Sequence, residues 1–179
     1  MDKYNPFDLF ENRWALVTAG NLDNFNCCTV SWGSLGILWR KKIVTIYIYP
    51  SRYTCNFLLN NEYFTVSVFD EEYKKDLAVL GSKSGRDVDK VALTKLTPIS
   101  LNESITYKEA KQVFYCKKIY FGQFDKNNIA EEIKQNYINN PGSFPKDENG
   151  EWRTHYMFIG EIILKININR NLFFVFITI

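Results

Sequence analysis

Residues 43–54 read IVTIYIYPSRYT, and this stretch decides the fold. Every residue from Ile43 to Tyr49 is β-branched or aromatic, the side chains that fit a pleated surface. Ile43, Thr45, Tyr47 and Tyr49 share one face of such a strand, and Val44, Ile46 and Ile48 the other. Pro50 cannot continue a ladder and ends it. Thr54 is then placed to cap a short helix over Cys55-Asn-Phe-Leu-Leu59.

The pattern repeats outward from there. Residues 14–20 (WALVTAG) read as a strand, Asn21, Asp23 and Asn24 as a turn, and Cys27 to Trp32 as the hairpin partner, closed by Gly33. Residues 63–69 (YFTVSVF) form another strand. Asp70 is expected to cap a helix through Leu80, with Glu71 and Glu72 suiting its dipole and Gly81 as its left-handed end. Asp87 would cap a further short helix. A long strand is expected over 110–124. Asn127 or Asn128 would start a helix to Tyr137, with Ile129, Ile133 and Tyr137 on its apolar face. Residues 140–150 are a loop, and strands over 156–166 and 172–179 close the chain. Hairpins dominate, and neither a strand–helix–strand rhythm nor a Gly-x-Gly-x-x-Gly is present. The expectation is a mainly β fold, an antiparallel barrel with peripheral helices, in one domain over residues 1–179.

Composition narrows the function. The chain has 179 residues with 46% apolar and 16% aromatic side chains, which is enough for a full core. A net charge of +2 with scattered Lys and Arg disfavours nucleic acid as a partner. Four cysteines without Cys-x-x-Cys spacing and one histidine argue against a metal site. The opening MDKYNPFDLF carries acids and no apolar core, so no signal peptide is expected, and no apolar run approaches ~20 residues, so no membrane span is expected either. A cytoplasmic protein with free thiols is the simplest expectation.

Four segments could carry chemistry. Ser51-Arg52-Tyr53-Thr54 follows a strand and opens a helix, where free amides and the dipole favour an anion and Arg52 adds a forked donor. The same residues also read as a helix cap beside a surface arginine. In Asn26-Cys-Cys-Thr-Val-Ser-Trp-Gly33, Thr29 and Ser31 lie on one strand face, leaving room for a flat ligand or turning two hydroxyls to water. Gly81-Ser-Lys-Ser-Gly-Arg-Asp-Val-Asp-Lys90 reads equally as an anion loop and as a polar connector between two helices. It lacks the order of a Walker loop. Arg153-Thr-His-Tyr-Met-Phe-Ile-Gly-Glu161 holds the single histidine, with no nucleophile or carboxylate at a spacing that would support acyl transfer.

Taken in order, residues 26–33, 50–54, 81–90 and 155–161 resemble the flavin reductase-like family, and its flavoredoxin-like branch most closely. The resemblance runs over roughly residues 10–166. It implies an FMN-binding split β-barrel, usually a homodimer with the flavin near the subunit interface. By position it puts Cys28, Thr29, Val30 and Ser31 beside the flavin ring or ribityl chain. Ser51, Arg52, Tyr53 and Thr54 would lie near the phosphate, with Ser82, Lys83 and Ser84 closing over it. His155, as the catalytic candidate, and Tyr156 would meet the flavin or the nicotinamide. The implied activity is an FMN-dependent oxidoreductase that passes electrons from NADH or NADPH through flavin to an acceptor. The alternative is a flavoredoxin-like carrier reduced by a protein partner, without a nicotinamide site. Arg153-Thr154 stand where related reductases often carry Gly-Asp, and the apolar tail 171–179 does not resemble the family's polar ending.

Overall fold

The computed structural model describes residues 6–169 and 172–178. Helix α1 (Pro6–Glu11) precedes strands β1 (Ala15–Asn21), β2 (Asn24–Val30), β3 (Gly33–Leu38) and β4 (Lys41–Ile48). Helix α2 (Tyr53–Asn60), strand β5 (Tyr63–Val68) and helix α3 (Lys74–Ser82) follow, then strands β6 (Pro98–Leu101), β7 (Ser104–Tyr107) and β8 (Gln112–Gln123). Helix α4 (Glu131–Asn139) leads to strands β9 (Tyr156–Asn169) and β10 (Leu172–Thr178). The main sheet is antiparallel in the order β2-β1-β5-β8-β9-β4-β3, with β10 beside β9, and β6-β7 form a separate hairpin. The result is the expected mainly β fold, a split barrel with helices packed outside.

Local chemistry sets the turns. Asn21 pairs with Asn24 across a two-residue loop, and the Asn21 Oδ1 accepts from the amides of Asp23 and Asn24 at 3.1 and 3.0 Å. The β3-β4 turn uses Trp39 and Arg40, both in the left-handed region with φ of 50° and 60°. A tight hairpin of the right twist needs two such residues, and Asn-Gly is the usual supplier. That turn and the two glycines of β3 hid the strand from the sequence reading: Gly33 opens β3 rather than closing a hairpin.

Two cores lie on opposite faces of the sheet. Inside the barrel, Val17, Val44, Ile46, Phe64, Val66 and Phe158 are buried with Leu9 and Phe10 of α1 and Leu58 of α2. Outside, α3 and the β6-β7 hairpin cover Leu16, Cys27, Val113 and Ile166 with Leu77, Leu80 and Tyr107. Each fully buried side chain of this size contributes roughly 1.5–3 kcal/mol. The adjacent thiols split between the two cores, Cys28 inward and Cys27 outward, which is the period-two alternation of a strand.

Several expected helix signals act differently. Thr54 lies inside α2, fully buried, while Arg52 holds the cap position without a side-chain cap bond. Asp70 accepts from Lys111 Nζ at 2.9 Å, and a single 3-10 turn over Glu71–Tyr73 precedes α3. Gly81 is helical, and α3 ends one residue later with Lys83 extended at its C-cap. No helix follows Asp87: residues 85–87 form a turn, and Asp89 is the residue whose carboxylate accepts amides, those of Val91 and Ala92. A 3-10 turn covers Lys126–Asn128, and α4 starts at Glu131, with Tyr137 buried and Ile133 exposed. Among the described residues no helix is long and apolar enough to cross a membrane.

Candidate functional site

Pairing register gathers the site. Ile48 pairs with Tyr156 and Gln123 with the same residue, so the ends of β4 and β8 meet at the start of β9, just after His155. The end of β2 lies against α2 and α3. Two cavities open here, one of about 250 Å³ and one of about 90 Å³, and both are lined by Cys28 and Arg52.

The smaller cavity is polar and cationic. Its wall includes Ser51, Arg52, Ser82, Lys83, Ser84 and Lys90, and no acidic side chain lines it. Tyr53 and Thr54 of α2 complete it. Arg52 Nη1 donates to Gly81 O at 2.8 Å, a backbone carbonyl rather than the carboxylate of a surface ion pair. Arg86 crosses from the other side: Nη1 donates to Ser51 O at 3.0 Å and its guanidinium lies 4.7 Å from the centre of the Tyr53 ring. The glycines serve close approach. A Cβ on Gly81 would sit 3.2 Å from Thr29 Cβ, and one on Gly85 would sit 2.3 Å from Asn26 Oδ1. Asn26 is itself held by Thr54, with Nδ2 donating to Oγ1 at 3.0 Å. Thus a buried polar contact ties β2 to α2, and the 83–90 loop approaches β2 closely at Gly85.

Not every hydroxyl expected at the ligand faces it. Thr29 Oγ1 donates to Leu77 O at 2.5 Å and Ser82 Oγ to Val79 O at 3.2 Å, so α3 uses both protons. Ser84 Oγ accepts from the amide of Arg86 at 3.2 Å. Thr54 Oγ1 is engaged by Asn26 and buried.

The larger cavity is aromatic. Cys28, Thr29, Val30 and Ser31 line one side, and Tyr47, Tyr49, Phe144 and His155 line the other, with Trp32 at its edge. His155 lies 4.8 Å from Trp32, 5.2 Å from Tyr49 and 5.7 Å from Phe144, ring centre to ring centre. Its Nδ1 shares a 2.6 Å hydrogen bond with Tyr137 OH from α4. Burial, with the nearby Arg52 cation second, lowers the His155 pKa to about 4, so the imidazole is neutral at neutral pH. Tyr49 OH donates to Pro145 O at 2.9 Å and pins the 140–150 loop over the cavity. Trp32, Tyr47, Phe124, Tyr137 and His155 frame a further slot of about 270 Å³.

Every expected site residue except Tyr156 lines one of these cavities. Tyr156 points instead to the barrel interior, packed 5.9 Å from the Phe158 ring; one step along a strand turns a side chain to the other face. The sequence reading missed Tyr47, Tyr49, Tyr137 and Phe144, which carried no local motif. It also gave Lys90 no ligand contact, taking it to fix the loop and start the next helix. The cysteines are buried free thiols, and burial raises Cys27 to about 11 and Cys55 to about 12, so neither is a thiolate at neutral pH. Among the described residues no cluster of His, Cys, Asp or Glu suits a metal ion.

A family model described as a flavin reductase like domain matches residues 7–129. No curated protein sequence matches the chain. An FMN-binding protein from Thermus thermophilus with bound p-hydroxybenzaldehyde is similar in structure, at TM-score 0.66 and 17% identity, over 94% of this chain and 80% of that one. Flavoredoxin from Methanosarcina acetivorans gives TM-score 0.64 at 18% identity, over 93% and 84% of the two chains. An NADH:FAD oxidoreductase from Streptomyces globisporus, in complex with NAD and FAD fragments, gives 0.61 at 14%, over 87% and 74%. At these identities the likeness speaks for the fold.

Proposed function

We infer a function from one premise: the chain belongs to the flavin reductase-like domain family. The reading is an oxidoreductase that binds FMN, with the phosphate in the small cationic cavity and the ring in the aromatic cleft. One observation carries it: an acid-free cavity lined by Arg52 and Lys83 joins an aromatic cleft through Cys28 and Arg52. That pairing matches a flat ring system bearing a phosphate at the end of a short chain. When bound, the flavin would supply the hydride and electron chemistry.

The chain's own residues then have defined work. Arg52 offers the guanidinium donors not spent on Gly81, and Lys83 offers a point charge, both suited to phosphate. Residues 29–31 border the ring, chiefly through backbone, because the Thr29 hydroxyl is spent on α3. Trp32, Tyr49 and Phe144 exclude water from the ring's edge. His155, neutral and held by Tyr137, adds a polar contact without adding charge.

For the electron source, the leading reading is NADH or NADPH. The carrier reading, with reduction by a protein partner, has one observation in its favour. The slot beside His155 is framed by Trp32, Tyr47, Phe124 and Tyr137 and contains no Lys or Arg, whereas a nicotinamide dinucleotide brings a diphosphate. The reading also includes a cytoplasmic location and a homodimer, the latter supported by the exposed aromatics Trp32, Tyr120, Phe121 and Phe124.

The absorbance spectrum and mass of the cofactor released on denaturation test the core of the proposal. A colourless protein that cannot be reconstituted with FMN would sink it. Steady-state oxidation of NADH and NADPH separates the two electron sources, and light scattering reads the mass of the assembly.

A further inference from the structure

We propose that Lys90 is a third cation of the phosphate subsite and sets its preference for a dianionic phosphate monoester. The inference rests on the FMN reading above and goes beyond it. Lys90 is only 4% exposed, which is rare for a lysine without an ion pair. Its Nζ donates to Leu80 O at 3.0 Å and to Lys83 O at 3.3 Å. Those carbonyls belong to the last turn and C-cap of α3, where a cation complements the helix dipole.

Two carbonyls use two of the three N–H donors of an ammonium. Among the described residues no carboxylate lies within ion-pair distance of it. The neighbouring Asp89 turns its carboxylate to the amides of Val91 and Ala92. Lys90 borders two cavities: the small one holds Arg52 and Lys83 and no acid, and a wider one of about 610 Å³ on its other side includes Asp23 and Asp89. A helix C-terminus supplies about half an elementary charge, which leaves a buried ammonium only partly neutralised. Burying an unpaired charge is costly. An anion in the cavity would complete the balance, and two negative charges suit it better than one. Lys90 also ties the end of α3 to the 83–90 loop, so the group that holds the loop is the group that awaits the phosphate.

The test uses the full chain and two variants, Lys90→Gln and Lys90→Met. Glutamine is one atom shorter but retains a donor for the α3 carbonyls while losing the charge. FMN and riboflavin affinities are measured by quenching of flavin fluorescence, and inorganic phosphate serves as the probe in thermal unfolding. The expected result is a roughly 10- to 100-fold weaker FMN affinity in Lys90→Gln. Riboflavin affinity should stay within about two-fold, since it lacks the phosphate. Phosphate should raise the melting temperature of the natural chain and not that of Lys90→Gln. An unchanged ratio of FMN to riboflavin affinity in Lys90→Gln would overturn the proposal and leave Lys90 as a helix cap, whether or not Lys90→Met folds. If the natural chain binds neither flavin, the FMN reading falls, and the phosphate shift alone decides whether an anion site with Lys90 in it remains.

Discussion

The small cavity and the aromatic cleft share Cys28 and Arg52, yet they are built by opposite rules. Apart from Cys28, the small cavity comes from two short segments, 51–54 and 80–90, joined by carbonyl contacts such as Arg52 to Gly81 and Arg86 to Ser51. Its chemistry is charge, and it is tied to helix ends. The cleft draws Trp32, Tyr49, Phe144 and His155 from four distant places and binds them by ring packing. Its chemistry is desolvation, which is why its histidine loses its proton. A charged cavity can thus be assembled mainly from two short segments, whereas an aromatic cleft waits for the whole barrel.

The largest expected effect breaks the cleft by pH. His155 has an ordinary pKa of 6.5 and a folded value of about 4, so the unfolded chain takes up the proton first. Stability without ligand is therefore complete above about pH 6.5 and falls as the pH drops toward 4, by about 3 kcal/mol in all. Urea unfolding across that range should show the slope, and His155→Phe should flatten it. A slope that survives in His155→Phe would assign the effect elsewhere.

Arg52→Ala comes next and should strike the phosphate side hardest, although Arg52 borders both cavities. Loss of one charge-assisted contact should weaken FMN by about 2 kcal/mol, or roughly 30-fold, with riboflavin little changed. Equal weakening of both flavins would show that Arg52 serves the ring or the fold. Trp32→Ala is the counterpart on the cleft side. It should weaken FMN and riboflavin alike, by about 1 kcal/mol, because an aromatic contact does not sense the phosphate. Tyr137→Phe removes the partner of His155 Nδ1 and should cost about 1 kcal/mol of stability in denaturant titrations. The smallest effect is expected at Ser82. Its hydroxyl is spent on Val79 O, so Ser82→Ala should leave FMN affinity within about two-fold. A large loss there would mean that the hydroxyl turns toward the ligand on binding.

Strand content was legible where side chains alternate or cluster by shape. Ile43 to Tyr49, Tyr63 to Val68 and the long run to Gln123 all form strands near the expected bounds. β3 was not legible, because Gly33 and Gly36 weaken its pattern and because Trp39-Arg40 is an unusual pair for a left-handed turn. The β6-β7 hairpin was missed too, although Ile105 and Tyr107 are fully buried in it. Strands of four residues give too short a period to read. Helix ends were misplaced at Thr54, Gly81 and Asp87. In each case a tertiary contact outranked the local signal: Asn26 engages Thr54, Thr29 packs on Gly81, and Arg86 reaches across to Ser51.

Sequence by itself determined that this chain pairs hairpins into a barrel, and the order of segments 26–33, 50–54, 81–90 and 155–161 carried the family resemblance. Alternation, turn residues and the order of polar motifs are local properties, so they survive in the unfolded string. Tertiary structure alone decided which side of each motif faces the cleft. It turned Tyr156 inward, spent the Thr29 and Ser82 hydroxyls on α3, and placed Tyr137 and Phe144 beside His155. It also buried Lys90 against the end of α3. Those outcomes depend on strand register and on which carbonyls a helix end leaves unpaired, and both are set only when distant segments meet.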